Sequence, residues 1–434
     1  MFFGTAFLIS GLGFSQQIKF EEYDLPNGLH VILHQDNAAP VVTTGVMYHV
    51  GSKDEVKGRS GFAHFFEHLL FEGTPNIKRG DWFKIVSAHG GQNNANTTQD
   101  RTYYYETFPS NNEQLGLWME AERMRHAVVN QIGVDTQREV VKEEKRTRMD
   151  NAPYGGISYY TAINPHVFNK HPYSGSVIGS MEDLNAAQLE EFRAFYKKYY
   201  VPNNATLVVA GDIKPEQTKK WIEQYYGGIP KGNVIPKKFP KEDPIVQEKE
   251  VTEIDNNIQL PAYIFAYRTP GSKEKDTYIL SMISAYLNGG KSSVLNKKLI
   301  DEEKKALDVG AENNAMEDYG VFRIYVIPMG QTTKKTLQTD IDTEIKKLQT
   351  ALITQEDYEM LQNMIENQFV NYNSSIEGIT ASLATNHVLR GDTNLINKAI
   401  DIYKSITRQD LQDAAKKYLN SNQRVIINYV PEKK

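Results

Sequence analysis

The chain has 434 residues, enough for two cores of ordinary domain size, and its 40% hydrophobic and 24% charged composition is that of a globular protein. Its 49 basic and 54 acidic residues are interspersed and leave a net charge of −5, which points away from a nucleic-acid surface or a polybasic membrane patch. Cysteine is absent, which excludes disulfides, thiolate metal sites and cysteine nucleophiles.

Residues 1–15, MFFGTAFLISGLGFS, are apolar and uncharged, and the sequence then turns abruptly polar. This reads as a signal-peptide core ending at the small residues Gly13 and Ser15, and it predicts export, with the periplasm as destination. The run is too short to cross a bilayer and no later run approaches eighteen apolar residues, so no membrane span is expected. Apolar and polar residues then alternate around Asn27-Gly28, a hairpin signal. From Gly61 to Phe71 the period becomes helical, with Phe62, Phe65, Phe66, Leu69 and Leu70 as a buried stripe. Residues 90–109 follow a Gly-Gly break, are rich in Thr and Tyr and read as strand. Residues 111–127 and 135–149 read as helices, and 199–213 as a turn feeding a buried strand.

Residues 229–249 carry prolines and lysines with little periodicity and read as a linker. The predicted organisation is a signal peptide over 1–15, an N-terminal domain over 16–228, the linker, and a C-terminal domain over 250–434. The second half restarts with a strand, a Gly-Ser-Lys at 271–273 that echoes 51–53, and a long apolar helix. That repeated order suggests a duplicated domain of which only the first copy carries metal-ligating polar residues, two histidines and a glutamate, on the helix.

Those polar residues are His64, Glu67 and His68 in AHFFEHLL. Positions four apart lie on one helix face, so both imidazoles can address one ion, with Glu67 on nearly the same face. The competing reading is a pair of core histidines, but burying two imidazoles and a carboxylate among aromatics is costly without a partner, which a metal supplies. A catalytic zinc takes three protein ligands, and the helix DTQREVVKEEKRTRMD offers Glu139, Glu143 and Glu144 as the third. Val140 and Val141 are expected on its buried side, and Glu144, four beyond Val140, shares part of that side.

The stretch GFAHFFEHLLFEGT resembles the inverted zinc-binding motif His-x-x-Glu-His of the inverzincins, the pitrilysin and mitochondrial-processing-peptidase family. DLPNGLHVIL, GGQNNANTTQDRTYYY, REVVKEE, HPYSGSVIGSMEDL and YYVPNNATLVVAGDI are similar to family segments in order and spacing, and NGGKSSVLNKKLIDEE looks like its glycine-rich turn. The resemblance implies two α+β domains of one fold, each a mostly antiparallel sheet with helices on one face, and one zinc per chain. It implies His64, His68 and Glu144 as zinc ligands, Glu67 as general base of a metalloendopeptidase, and Asn94 and Ala95 on an edge strand that pairs with a peptide substrate. It further implies dimerisation, with a copy of itself or with a related chain.

Two positions depart from the family pattern. Gln137 stands seven residues before Glu144, where a second glutamate is common. Arg323 lies in roughly the region of a substrate-gripping arginine of the C-terminal domain, with a structural salt bridge as its competing reading, and Gly330 stands where a tyrosine is expected. The resemblance thus allows a chain whose arginine and tyrosine come from a partner.

Overall fold

The computed structural model describes residues 17–432, so the expected signal peptide lies outside the described residues. Eleven strands form two sheets: β1 Glu21–Asp24, β2 His30–Gln35, β3 Val41–Tyr48, β4 Gln92–Thr97, β5 Thr102–Pro109 and β6 Ala205–Gly211 in the first, and β7 Lys249–Ile254, β8 Ala262–Pro270, β9 Ala306–Ala315, β10 Tyr319–Pro328 and β11 Arg424–Val430 in the second. The first sheet runs β1-β2-β6-β3-β5-β4 and the second β7-β11-β8-β10-β9. In each, one parallel pair (β2 with β6, β7 with β11) is followed by antiparallel pairs only. Set β1 aside and the two orders coincide strand for strand, which is the duplication that the repeated strand-loop-helix order suggested.

The Asn27-Gly28 turn joins β1 to β2 as read, with Gly28 at a φ of 86° that a side chain would strain. Asn27 is buried there and donates to the carbonyls of Tyr226 and Ile229, which ties the turn to the end of the Pro215–Tyr226 helix. Residues 90–109 form two strands rather than one, because the chain turns back over Thr98–Arg101. Residues 231–248 carry neither helix nor strand.

Alternation along each strand separates two faces. On one face of the first sheet Val31, Leu33, Val46, Tyr104 and Leu207 pack with Phe62, Phe65, Phe66, Leu117 and Phe192 from helices of the same half. On the other, Ile32, Met47, Tyr103 and Val208 meet Ile379, Leu383 and Ile396, which come from the second half. The second sheet is arranged in the same manner. Phe265, Phe322, Ile324 and Ile426 pack with Leu280, Ile283 and Leu337 of their own half, whereas Ile264, Ala266, Val321 and Ile427 are covered by Ile157, Ile163, Val167 and Phe168 of the first half. Helices on one face therefore describes each half alone; in the chain each half also supplies the cover for the other's second face.

The two Gly-Ser-Lys segments occupy equivalent places. Ser52 N–H donates to Thr98 O, in the turn between β4 and β5, and Ser272 N–H donates to Met316 O, in the turn between β9 and β10. Gly51 is required by packing, since a Cβ there would lie 2.4 Å from the Gln99 backbone. The two turns meet, and Lys53 is buried between them, with its Nζ 2.9 Å from Asp100, 2.7 Å from Glu317 and 2.9 Å from Asp318.

Candidate metal centre

The sequence AHFFEHLL becomes the Phe62–Leu69 helix, whose apolar stripe is buried as expected. Its start is fixed by Gly61, at a φ of 90° with Ile178 O only 2.6 Å from where a Cβ would stand, and by Glu55, whose carboxylate accepts from the N–H groups of Gly61 and Ala63 at 2.8 Å each. The remaining face carries His64, Glu67 and His68, whose ligand atoms lie within 4.8 Å of one another. The Gln131–Lys145 helix, capped by the Asn130 side chain, brings Glu144 to the same point. Glu144 Oε2 lies 3.0 Å from His68 Nε2 and 3.5 Å from His64 Nε2, while its Oε1 is 2.9 Å from Arg148.

Val141 is buried on this helix, but Val140 is 43% exposed and lines the cavity in front of the histidines. That corrects the expected buried side and gives a better reason for Glu144: one turn beyond Val140, it faces the cavity rather than the core. Glu139 and Glu143 instead pair with Lys142 and Arg146 on the outer surface.

Burial pushes the His64 imidazole down to about 4, with the neighbouring His68 acting in the same direction, so the ring is neutral near pH 7. Glu144 is held below the usual carboxylate range: burial opposes this, but His68, His64 and Arg148 outweigh it. Burial raises the Glu67 carboxyl, against a 2.7 Å hydrogen bond donated by Thr97 Oγ1 to its Oε2. His68 Nε2 and Glu144 Oε2 are buried yet lack a hydrogen-bond partner of good geometry. Two imidazole nitrogens and a carboxylate oxygen with converging lone pairs form the donor set of a zinc ion, so these residues fit that metal.

The cavity encloses about 800 Å³. One wall is β4, the free edge of its sheet, contributing Asn94, Ala95, Asn96 and Thr97. Asn94 Oδ1 accepts from the Ala95 N–H at 2.9 Å and thereby caps one backbone donor of that edge. Phe71, Phe83 and Val140 form an apolar wall, and Tyr159, Tyr160 and Asn314 close the far side. Asn314, on β9 of the second half, sits at the place in its sheet that Asn96 holds in the first, both one residue before the last pair of their hairpin. The sequence reading missed Thr97, Arg148 and Asn314; a helical spacing of four from Glu144 was the available signal for Arg148.

Arg323 is not brought to this cavity. It is buried, donates to Ile157 O and to Glu312 at 2.8 Å, and lies 4.0 Å over the Tyr160 ring. Gln137 also points elsewhere, donating to Glu72 Oε1 at 2.5 Å. Gly330 sits at a φ of 61° after the end of β10.

The family model described as insulinase (peptidase family M16) matches residues 30–168, and that described as the peptidase M16 inactive domain matches residues 186–365. A zinc protease PqqE of Helicobacter pylori is 29% identical over 419 residues, covering 95% of this chain and 93% of that protein. A crystal structure of a protease from Helicobacter pylori superimposes with a TM-score of 0.89 at 28% identity, over 95% of this chain and 99% of the other. At 16% identity, which bears on the fold alone, a peptidase M16 inactive domain from Pseudomonas fluorescens gives a TM-score of 0.85 over 96% and 98% of the two chains. With both domain models matched in order, together over most of its length, the chain belongs to peptidase family M16, the pitrilysin family, as a two-domain member of the bacterial kind.

Proposed function

We propose that the chain is a zinc-dependent endopeptidase acting on oligopeptides or unfolded segments. The observation that carries this is the convergence of His64, His68 and Glu144 from two helices, with Glu67 beside them, in a cavity bordered by a free strand edge. His64, His68 and Glu144 would hold the zinc. When bound, zinc supplies Lewis-acid chemistry, lowering the pKa of water toward neutrality and polarising a carbonyl.

The chain's own groups do the rest. An extended peptide lies along β4, where main-chain hydrogen bonds replace the internal one between Asn94 and Ala95 and tolerate many sequences. Glu67, freed of its proton and held by Thr97, takes a proton from the attacking water and returns it to the leaving amine, so the carbon–nitrogen bond breaks without a covalent enzyme intermediate. Phe71, Phe83 and Val140 offer an apolar wall for a substrate side chain. The Helicobacter pylori relative that is named a zinc protease supports the same chemistry. Export to the periplasm fits a structural neighbour described as the periplasmic protease PqqL of Escherichia coli, and among the described residues no helix is long and apolar enough to cross a membrane.

Arg323 favours a second reading, in which a partner chain completes the site. Its guanidinium is engaged by Ile157 and Glu312, so a related chain, rather than a second copy of this one, would supply the arginine and tyrosine that grip substrate. Glu67→Gln tests the mechanism: the zinc content of the chain stays as in the wild type, and hydrolysis of a fluorogenic peptide drops about 100-fold or more. Unchanged hydrolysis refutes the role of Glu67, and a wild type that binds no zinc refutes the site. Wild type that binds zinc and cleaves only after a related chain is added selects the second reading.

A further inference from the structure

Arg101 stands in the turn that joins β4 to β5, and the register of that hairpin fixes which face its side chain takes. Asn96 is paired with Tyr103 and Thr97 with Thr102, so Asn94, Asn96, Arg101, Tyr103 and Tyr105 share one face of the sheet. Thr97, which holds Glu67, lies on the other face. The guanidinium of Arg101 reaches back across the hairpin onto β4, where Nη1 donates to the Asn96 carbonyl at 2.9 Å and to Asn96 Oδ1. Asn96 is part of the cavity wall, so Arg101 sets a positive charge against the free strand edge, one residue from the threonine that holds the general base.

No carboxylate of the chain answers that charge. Among the described residues, the two bonds to Asn96 are all the hydrogen bonds its guanidinium makes, and it joins no ion pair. The acidic groups around it are committed elsewhere. Asp100 accepts from the Tyr173 hydroxyl at 2.5 Å and from the Glu317 N–H at 2.9 Å, and it lies 2.9 Å from Lys53 Nζ. Glu67 is held by Thr97, and Glu377 by the Tyr105 hydroxyl. Arg148, which also lines the cavity, is by contrast paired with Glu144. Burial pulls the Arg101 guanidinium below the usual arginine range, and Tyr103, Tyr372, Glu67 and Asp100 only partly oppose this. It still carries its charge at neutral pH. A half-buried cation without a counter-ion is a costly arrangement that an incoming carboxylate relieves.

A peptide added to the edge of β4 brings such a group within reach. In an extended chain successive side chains alternate between the two faces. Those beside Thr97 turn toward Glu67 and the histidines, and those beside Asn96 stand on the face of Arg101. Directly opposed residues of neighbouring strands have Cβ atoms about 5 Å apart, a gap that a carboxylate can close with a two-pronged hydrogen bond to a guanidinium. We infer, resting on the reading of β4 as the peptide-binding edge of an endopeptidase, that Arg101 binds a substrate carboxylate and so selects peptides with an acidic side chain or a free C-terminus beside Asn96.

Fluorescence anisotropy of labelled peptides tests this on the full chain, loaded with zinc and carrying Glu67→Gln so that the probes are not consumed. The probes are short peptides with an amidated C-terminus in which a glutamate is moved along the sequence, the glutamine twin of each, and the glutamine peptide with a free C-terminus. A carboxylate at the right place is expected to tighten binding about 10-fold to 100-fold over the glutamine amide, and adding Arg101→Gln is expected to abolish that gain. A gain from glutamate assigns the carboxylate to a side chain, and a gain from the free C-terminus assigns it to the chain end. Arg101→Lys keeps the charge but not the fork and is expected to hold only part of the gain, which reads the site even if Arg101→Gln fails to fold. Equal binding of all probes, or a gain that Arg101→Gln leaves intact, overturns the inference and leaves Arg101 as a brace of its hairpin through Asn96. Because the readout is binding, a chain that showed this preference yet cleaved none of the peptides would refute the peptidase and leave the carboxylate site standing.

Discussion

Lys53→Met removes the buried cation that touches Asp100, Glu317 and Asp318 together where the turns of the two halves meet, leaving His49 and Lys273 on Glu317. The lysine side chain is 1% exposed, Asp100 3% and Glu317 11%, so two buried carboxylates would lose their shared cation, with the 35% exposed Asp318 beside them. Deleting one member of a buried ion pair costs about 3–5 kcal/mol. The carboxyl itself gives an independent figure. Burial works to raise Glu317, but His49 and Lys53 outweigh it and hold it at about 2, against an ordinary 4.5. That difference corresponds to roughly 3 kcal/mol, shared between His49 and Lys53. Spread over the unfolding entropy of the whole chain or of half of it, a 4 kcal/mol loss lowers the melting temperature by about 4–9 °C.

The sign with pH is set by the depressed carboxyl. The stability contributed by Glu317 in the wild type is fully present above its unfolded pKa and is lost as pH falls from about 4.5 toward 2. In Lys53→Met the carboxylates repel one another at pH 7 and are relieved by protonation at pH 3. Thermal melts followed by circular dichroism at both pH values should therefore show a deficit at pH 7 that narrows at pH 3. A deficit below 1 °C at pH 7, or one that is the same at both pH values, refutes the reasoning.

Other perturbations probe separate parts of the molecule. Arg148→Ala leaves Glu144 Oε1 without its 2.9 Å partner and should weaken zinc binding about 10-fold to 100-fold in a competition assay with a chromophoric chelator, and an unaltered affinity would show that Glu144 needs no such support. Asn27→Ala strips the buried carbonyls of Tyr226 and Ile229 of their donor and should cost about 2–3 kcal/mol in urea unfolding, whereas a loss under 0.5 kcal/mol would mean that water replaces the amide. Gly51→Ala places a Cβ 2.4 Å from the Gln99 backbone, which cannot swing aside as a side chain can; soluble expression and melting temperature should both fall, and a wild-type melt would contradict the packing.

Local periodicity made much of this legible. The Asn27-Gly28 hairpin, the buried aromatic stripe of the motif helix and the repeated strand-loop-helix order all follow from residues close together in sequence. Glu144 could be selected from three glutamates, although the valine used to select it turned out to face the cavity. Other features depend on contacts that no local pattern encodes. Arg323 looks like a free arginine on a strand until residues near 157 fold across the second sheet and engage it. Gln137 finds Glu72, just beyond the C-terminal end of the motif helix. The pairing of His30 with His387 requires the second half to reach back over the first sheet, and neither histidine lies in a motif.

The exchange of covers between the two halves bears on how the chain reaches its native state. When the first half leaves the ribosome, Ile32, Met47, Tyr103 and Val208 have nothing to pack against until residues 379–396 have been made. The second sheet in turn relies on a segment synthesised long before it. Contacts between such distant residues make folding slow and leave apolar strands open in the interim. The interval before the last fifty residues arrive is therefore the period in which a chaperone has something to hold, and a chain truncated before residue 379 should aggregate rather than persist as a stable half.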